Sequence, residues 1–266
     1  MPSRPSVNTV LSRGFTLPCA ASCVAIRGAE ADMTPYRNVM DSFLNFHTHR
    51  MAVSPSETVI RNLPYPFSAH DEDGLTGSEW FSAGIHPWHI PEDCGPAFDR
   101  LSHLWRSPHC AALGETGLDK CCRTPFPLQK EVFVRQLEAA AAYGLPVVIH
   151  CVRAWGELLE VHKDIRPSVP CIVHGFRGGP ALARQLLDKG FYLSFGFRFN
   201  ARSLTECPSV RLFLETDEDA RSVEELYHTA ARLRGCLLSE LGLQCRSNLH
   251  DMFRHPSVNK TDTLFA

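Results

Sequence analysis

The sequence predicts an α/β protein, a (β/α)8 barrel of the TIM type that is lean in its first two crossover helices. Three observations predict it. From Phe43 onward, short apolar runs alternate with helical stretches, the signature of parallel strands joined by crossover helices. Five of those runs carry a metal-competent side chain at or near their exit, where a parallel barrel collects its functional groups. The chain has 266 residues, which suits one such barrel.

Residues 1–40 stand apart. They mix Pro, Ser, Arg and Cys without periodicity, and the apolar stretch Leu17 to Ile26 is broken by Pro18 and Ser22. They read as a disordered N-terminal extension, with the compact domain running over 41–254 and a flexible tail over 255–266. The first strand is Phe43-Leu44-Asn45-Phe46, closing on His47-Thr48-His49. Residues i and i+2 of a strand share a face, so the two imidazoles converge with the spacing needed to grip one ion. Further strands are expected near 57–62, 80–85, 110–115, 146–150, 170–174, 190–195 and 211–216. Four of these end on or near Glu115, His150, His174 and Asp217.

Helices are expected between some of the strands. Gln129 to Tyr143 places Val132, Phe133, Leu137, Ala140 and Ala141 on one face, with Gly144 as its stop. Trp155 to His162 and Pro180 to Lys189 form two more. Ser222 starts another, with Glu224 and Glu225 in its first turn, ending near Arg234 before Gly235. Leu237 to Phe253 reads as a closing helix with Leu238, Leu241 and Leu249 inward. Arg50 to Glu57 is too short for a helix, and Pro64 to Ser78 reads as a loop rich in Pro, Gly and acids.

Composition bounds the function. Hydrophobic content of 44% and charged content of 21% are ordinary for a globular enzyme. A net charge of -2 gives no general field toward nucleic acid, so a phosphate-bearing substrate has to be held by local cations or metals. No apolar run is long enough to span a bilayer. The 11 cysteines are scattered, form no CxxC pair and include the adjacent Cys121-Cys122. They read as reduced thiols in a cytoplasmic setting.

Neutral imidazole and ionised carboxylate suit Zn, Mn, Co or Ni, and carboxylate-rich sites also suit Mg. The expected arrangement holds two divalent ions. His47, His49 and Asp217 serve one, His150 and His174 the other, and Glu115 is shared because a carboxylate can offer one oxygen to each. A bridging water would lose its proton near neutral pH, and Asp217 beside it can act as general base.

The ordered set His47-x-His49, Gly84-Ile85-His86-Pro87-Trp88, Gly114-Glu115-Thr116-Gly117-Leu118-Asp119, Leu145-Pro146-Val147-Val148-Ile149-His150, His174-Gly175-Phe176-Arg177-Gly178 and Leu214-Glu215-Thr216-Asp217 resembles the TatD-type metal-dependent deoxyribonucleases, within the amidohydrolase-like superfamily. The resemblance covers roughly Phe43 to Gly235. It implies that His47, His49, Glu115, His150, His174 and Asp217 are metal ligands; of these, Asp217 as general base and Glu115 as the shared bridge are the expected catalytic residues. It also implies hydrolysis of phosphodiester bonds in DNA, from a 3′ end. The chain departs from the family pattern after Asp217, where Glu218-Asp219-Ala220 follows without a proline. It departs again at His150-Cys151-Val152-Arg153, one residue longer than the usual His-x-Arg. The metal site is therefore expected to persist while the substrate pocket differs.

His86 and Arg153 are the expected substrate contacts. His86 can touch the scissile phosphate or orient a loop, and Arg153 can neutralise phosphate or pair with Glu157 one helical turn on. Lys120 and Arg177 are weaker candidates for phosphate. Asp119 is expected to orient Glu115 or a neighbouring amide, and Trp88 to stack on a base or simply pack. The partner is DNA or another phosphoester, with a monomer as the expected state. The rival readings are a metal-dependent amide or ester hydrolase of the same superfamily and a non-catalytic barrel interaction protein.

Overall fold

The computed structural model describes residues 43–52, 54–67 and 80–258. The expected N-terminal extension, the loop beyond Phe67 and the last eight residues lie outside the described residues. Eight parallel strands follow one another in chain order around a barrel. They are β1 (Phe43–Thr48), β2 (Glu57–Pro64), β3 (Trp80–Gly84), β4 (Cys110–Asp119), β5 (Val147–Val152), β6 (Cys171–Val173), β7 (Tyr192–Phe195) and β8 (Leu212–Leu214). The first and last meet through one parallel bridge, Thr48 to Asp217. There the Asp217 amide donates to the His47 carbonyl at 3.0 Å, and the His49 amide to the Asp217 carbonyl at 3.2 Å. Asn45 ties the same two strands. Its Nδ2 donates to Thr216 Oγ1 at 2.8 Å, and its Oδ1 accepts from the Thr216 amide at 2.9 Å.

Seven α-helices are described: α1 (Gly95–Trp105), α2 (Phe126–Tyr143), α3 (Trp155–Ile165), α4 (Pro180–Asp188), α5 (Ala201–Glu206), α6 (Val223–Arg234) and α7 (Leu238–Phe253). The expected termini of α2 and α6 are present. Gly144 and Gly235 close their helices at φ 62° and 65°, the left-handed turn that glycine adopts without Cβ strain. Ser222 Oγ accepts the Glu224 amide at 3.1 Å, satisfying a helix-start donor. The described residues between β1 and β2 form no helix, as expected. Two helices escaped the sequence reading. α1 buries Ala97, Leu101 and Trp105, one turn apart, and α5 is a six-residue piece capped by Asn200. The expected face of α2 is corrected at two places: Ala141 is exposed, and Gln129 and Gln136 are buried in its stripe.

The barrel interior and the outer layer have separate cores. Leu44, Phe46, Ile60, Ala112, Val148, Ile172 and Phe213 point inward and meet Leu249, Met252 and Phe253 of α7. Phe46 and Phe213 stack at 4.2 Å between ring centroids. Phe253 meets Trp80, the first residue of β3, at 5.8 Å, so α7 covers the end of the barrel where the strands begin. Val258, within the segment expected to fray, is buried in this cluster. The alternate residues of the strands, such as Val147, Ile149, Leu193 and Leu212, pack outward against the helices. This split is the period-two consequence of strand geometry.

Two strands break that period. β1 shifts register between Asn45 and Thr48, and β4 between Leu113 and Thr116. The breaks matter for the site. Leu44 and Phe46 face the interior, so an unbroken strand would turn His47 and His49 away from it. The β4 break falls at Gly114, φ 144°, where a Cβ would stand 2.6 Å from the Val148 carbonyl. At Gly117, φ 144°, a Cβ would stand 2.0 Å from the His150 carbonyl. Glycine at both positions lets β4 and β5 approach closely enough to bring Glu115 and His150 together. Among the described residues no helix is long and apolar enough to cross a membrane.

Candidate metal centre

All six residues expected to bind metal converge at the C-terminal mouth of the barrel. His47 and His49 come from β1 and its exit, Glu115 from β4, His150 from β5, and His174 and Asp217 from the exits of β6 and β8. Glu115 lies between the histidines, and its two oxygens face different sets. Oε1 is 2.9 Å from His150 Nδ1 and 2.6 Å from His174 Nε2. Oε2 is 3.5 Å from His47 Nε2 and 3.8 Å from His49 Nε2. Asp217 Oδ1 lies 3.5 Å from His49 Nε2 and 3.9 Å from His47 Nε2. The donors fall into three overlapping groups, His47 with Glu115 and His174, His47 with His49 and Asp217, and His86 with Glu115 and His150, and the His174 ring centroid is 4.4 Å from that of His47.

His47 is fully buried, and neither ring nitrogen has a hydrogen-bond partner. A buried polar atom without a partner costs about 1–3 kcal/mol and is rare in a folded protein. The lone pair aimed between Glu115 and Asp217 gives that atom a purpose if a cation completes the cluster.

The surroundings of each ring fix which nitrogen carries the proton. His150 Nε2 faces Asp119 Oδ2 at 3.1 Å, which leaves the Nδ1 lone pair toward Glu115. His174 Nδ1 faces Glu215 Oε1 at 3.3 Å, which leaves Nε2 toward Glu115. In the neutral state both rings thus present an acceptor inward, as a ligand must. His86 is turned the other way. Its Nδ1 accepts from the Trp88 amide at 3.2 Å, so in the neutral ring Nε2–H points inward, 3.3 Å from Glu115 Oε1. It is a donor aimed into the cluster.

Electrostatics follow from this crowding. Burial alone would raise the Glu115 carboxyl, but the charge of His174 and its hydrogen bond hold it well below the usual range. Burial alone would lower His174. The charge of Glu115 and hydrogen bonds to Glu115 and Glu215 instead hold it well above the usual imidazole value. Burial and the neighbouring His47 lower His49, and burial lowers His86 against the pull of Glu115. Without a cation, the cluster is therefore a carboxylate paired to a protonated His174.

Several supporting residues could not be read from the sequence. Glu215 is fully buried; its Oε1 accepts the Gly175 amide at 2.7 Å and its Oε2 accepts from Ser194. Asn62 of β2 accepts the Glu115 amide at 2.9 Å. Gln136 of α2 holds both the amide and the carbonyl of Ile85, at 2.8 and 3.0 Å. Gln129, two turns earlier, holds the Asp119 amide and carbonyl at 2.8 and 3.0 Å. The one local signal was a carboxylate closing an apolar run in Leu214-Glu215. The partners of all four lie on other elements.

Of the two roles expected for Asp119, it takes the second: Oδ1 accepts the neighbouring Cys121 amide at 2.7 Å, while Oδ2 orients His150 and the Trp88 indole, whose Nε1 donates to it at 2.7 Å. Glu157 does not pair with Arg153, because Lys120 takes it. Arg153 is exposed, with φ 52°, and lines a cavity of about 900 Å³ over the cluster together with His86, Trp88, Trp155 and Arg177.

A parallel barrel whose mouth gathers imidazoles and carboxylates around one shared glutamate is the architecture of a barrel hydrolase. The chain belongs to the TatD-related DNase family, whose sequence profile matches residues 73–253. It is 32% identical over 205 residues to the 3'-5' ssDNA/RNA exonuclease TatD of Erwinia billingiae, covering 67% of this chain and 78% of that protein. It is 35% identical over 151 residues to the human 3'-5' RNA nuclease TATDN2, covering 52% of this chain but 20% of the longer relative. Its fold matches the crystal structure of YJJV, a TatD homolog from Escherichia coli K12, with a TM-score of 0.70 at 20% identity. That match covers 82% of this chain and 100% of the other.

Proposed function

We propose that the protein is a metal-dependent nuclease that removes nucleotides from the 3′ end of single-stranded DNA or RNA. The observation that carries the metal dependence is the orphaned, fully buried His47 set among Glu115, His49 and Asp217. The donor chemistry fits two divalent ions, with His47, His49 and Asp217 toward one, His150 and His174 toward the other, and Glu115 shared. Ions bound there supply a water acidified toward neutral pH and polarise a phosphoryl oxygen.

The chain's own groups do the rest. Asp217, one-third exposed at the mouth, takes the proton of the attacking water as its oxygen bonds to phosphorus and the P–O3′ bond to the remaining strand breaks, and the departing 3′ oxygen takes up a proton from solvent. His86 Nε2–H donates to a non-bridging phosphoryl oxygen, a role its tautomer suits and metal ligation does not. Arg153, on the cavity wall and without Glu157, neutralises phosphate charge. The nucleic-acid substrate is carried over from the relatives' names. No disulfide joins any of the nine described cysteines, which supports a reducing compartment.

The test is titration of the metal-stripped protein with Mn, Mg or Zn, followed by hydrolysis of single-stranded DNA labelled at either end. Metal-dependent loss of 3′ nucleotides is expected. Glu115→Ala should abolish it while leaving the circular dichroism spectrum unchanged. Turnover in a chelated sample, or retained turnover in Glu115→Ala, would overturn the reading.

A further inference from the structure

We infer that Trp88 is a stacking platform for an unpaired base of the nucleotide next to the scissile phosphate. The inference rests on the nuclease reading and names how that site takes its substrate. Trp88 is 57% exposed, on a rim where burial would be the default for so large an apolar surface. It is also held in place. Its Nε1 donates to Asp119 Oδ2 at 2.7 Å, and Asp119 is itself buried and fixed by the Cys121 amide at 2.7 Å. Its amide is held by His86 Nδ1, and its ring meets the His86 ring edge-on at 5.0 Å. An exposed indole pinned by a buried carboxylate has already given up most of its rotamer freedom, so little is left to lose on binding a flat partner.

The position selects that partner. The same Asp119 oxygen that holds the indole holds His150 Nε2, so the platform stands one side chain away from the donor cluster. Arg153 and Arg177 line the same cavity. Aromatic faces beside cations, around a phosphate-binding centre, are how proteins hold single strands without reading sequence. A paired base would have both faces occupied by its neighbours, so the platform selects single strands and frayed ends.

The test uses the metal-loaded protein, Trp88→Ala and Trp88→Phe. Substrates are a short oligothymidylate and the same strand with an abasic 3′-terminal residue. The reading is the ratio of kcat/KM for the two strands. Stacking on one base corresponds to about a tenfold to hundredfold preference for the base-bearing strand. Trp88→Ala should abolish that preference and Trp88→Phe should largely restore it, because phenylalanine stacks but cannot reach Asp119 with a hydrogen bond. A wild type that ignores the missing base, or an alanine variant that slows both strands equally, would overturn the platform. Failure of the nuclease reading shows separately, as no hydrolysis of bis-p-nitrophenyl phosphate or either strand by the wild type. In that case, oligothymidylate quenching of tryptophan fluorescence in the wild type, reduced in Trp88→Phe, still decides for the platform, and unaltered quenching decides against it.

Discussion

Glu215→Gln separates the fold from the metal centre. The wild-type carboxylate accepts three hydrogen bonds in a site with no solvent: the Gly175 amide at 2.7 Å, His174 Nδ1 at 3.3 Å and the Ser194 hydroxyl. Burial would raise its pKa, but the hydrogen bond and charge of His174 hold it below the usual range, so it is ionised. Glutamine keeps the shape. Its carbonyl oxygen can take the place of Oε1, and its NH2 can donate to the Ser194 hydroxyl, which rotates to accept. What is lost is the negative charge behind His174. A partner of this kind changes metal affinity by about 10- to 100-fold, or about 1.4–2.7 kcal/mol. Glutamine should therefore weaken binding by that factor with little change in the urea midpoint of the metal-free protein. Glu215→Ala instead leaves three buried donors unsatisfied and should cost about 3–5 kcal/mol of stability. Calorimetric metal titration and urea denaturation read the two effects independently. Equal metal affinity in wild type and glutamine variant would refute the reasoning.

Metal binding should also release about one proton at pH 7. His174 in the metal-free protein has its pKa raised well above 6.5, so it carries a proton there that a ligand must shed. Affinity should then climb with pH and level off above the raised value, and titrations in buffers of different ionisation enthalpy should show the released proton. Gly117→Ala should destabilise by more than about 3 kcal/mol in urea, because its Cβ would stand 2.0 Å from the His150 carbonyl at φ 144°. A variant of near wild-type stability would show that β4 and β5 can separate. Burial pushes the Cys171 and Cys245 thiols up to about 12, whereas Cys121 is exposed. Cys121→Ser should remove one equivalent of fast reaction with a thiol reagent at pH 8, and Cys171→Ser none.

Much of this architecture was legible because five of the eight strands announce themselves twice, by an apolar run and by the side chain at the exit. His150 and His174 follow Val148 and Ile172 in plain alternation, so their inward direction could be read from the period alone. His47 and Glu115 could not be read that way. Their strands change register just before them, and the period of two predicts the wrong face once Phe46 is known to point inward. α1 drew no helix assignment from the sequence; it opens on Gly95-Pro96, both poor formers in a helix interior, although proline is well tolerated in a first turn. The tautomers were out of reach altogether. They depend on Asp119, Glu215 and the Trp88 amide, each paired across strands or loops far apart in the chain.

The seam where β1 meets β8 passes directly through His47, His49 and Asp217. Those residues hold the cylinder shut with their main chains while their side chains face the cluster. A cation bridging them would act as a rivet across the joint. Stripping the ions and springing the barrel open at that edge are therefore linked events, and the temperature at which this protein unravels should depend on how much metal it carries.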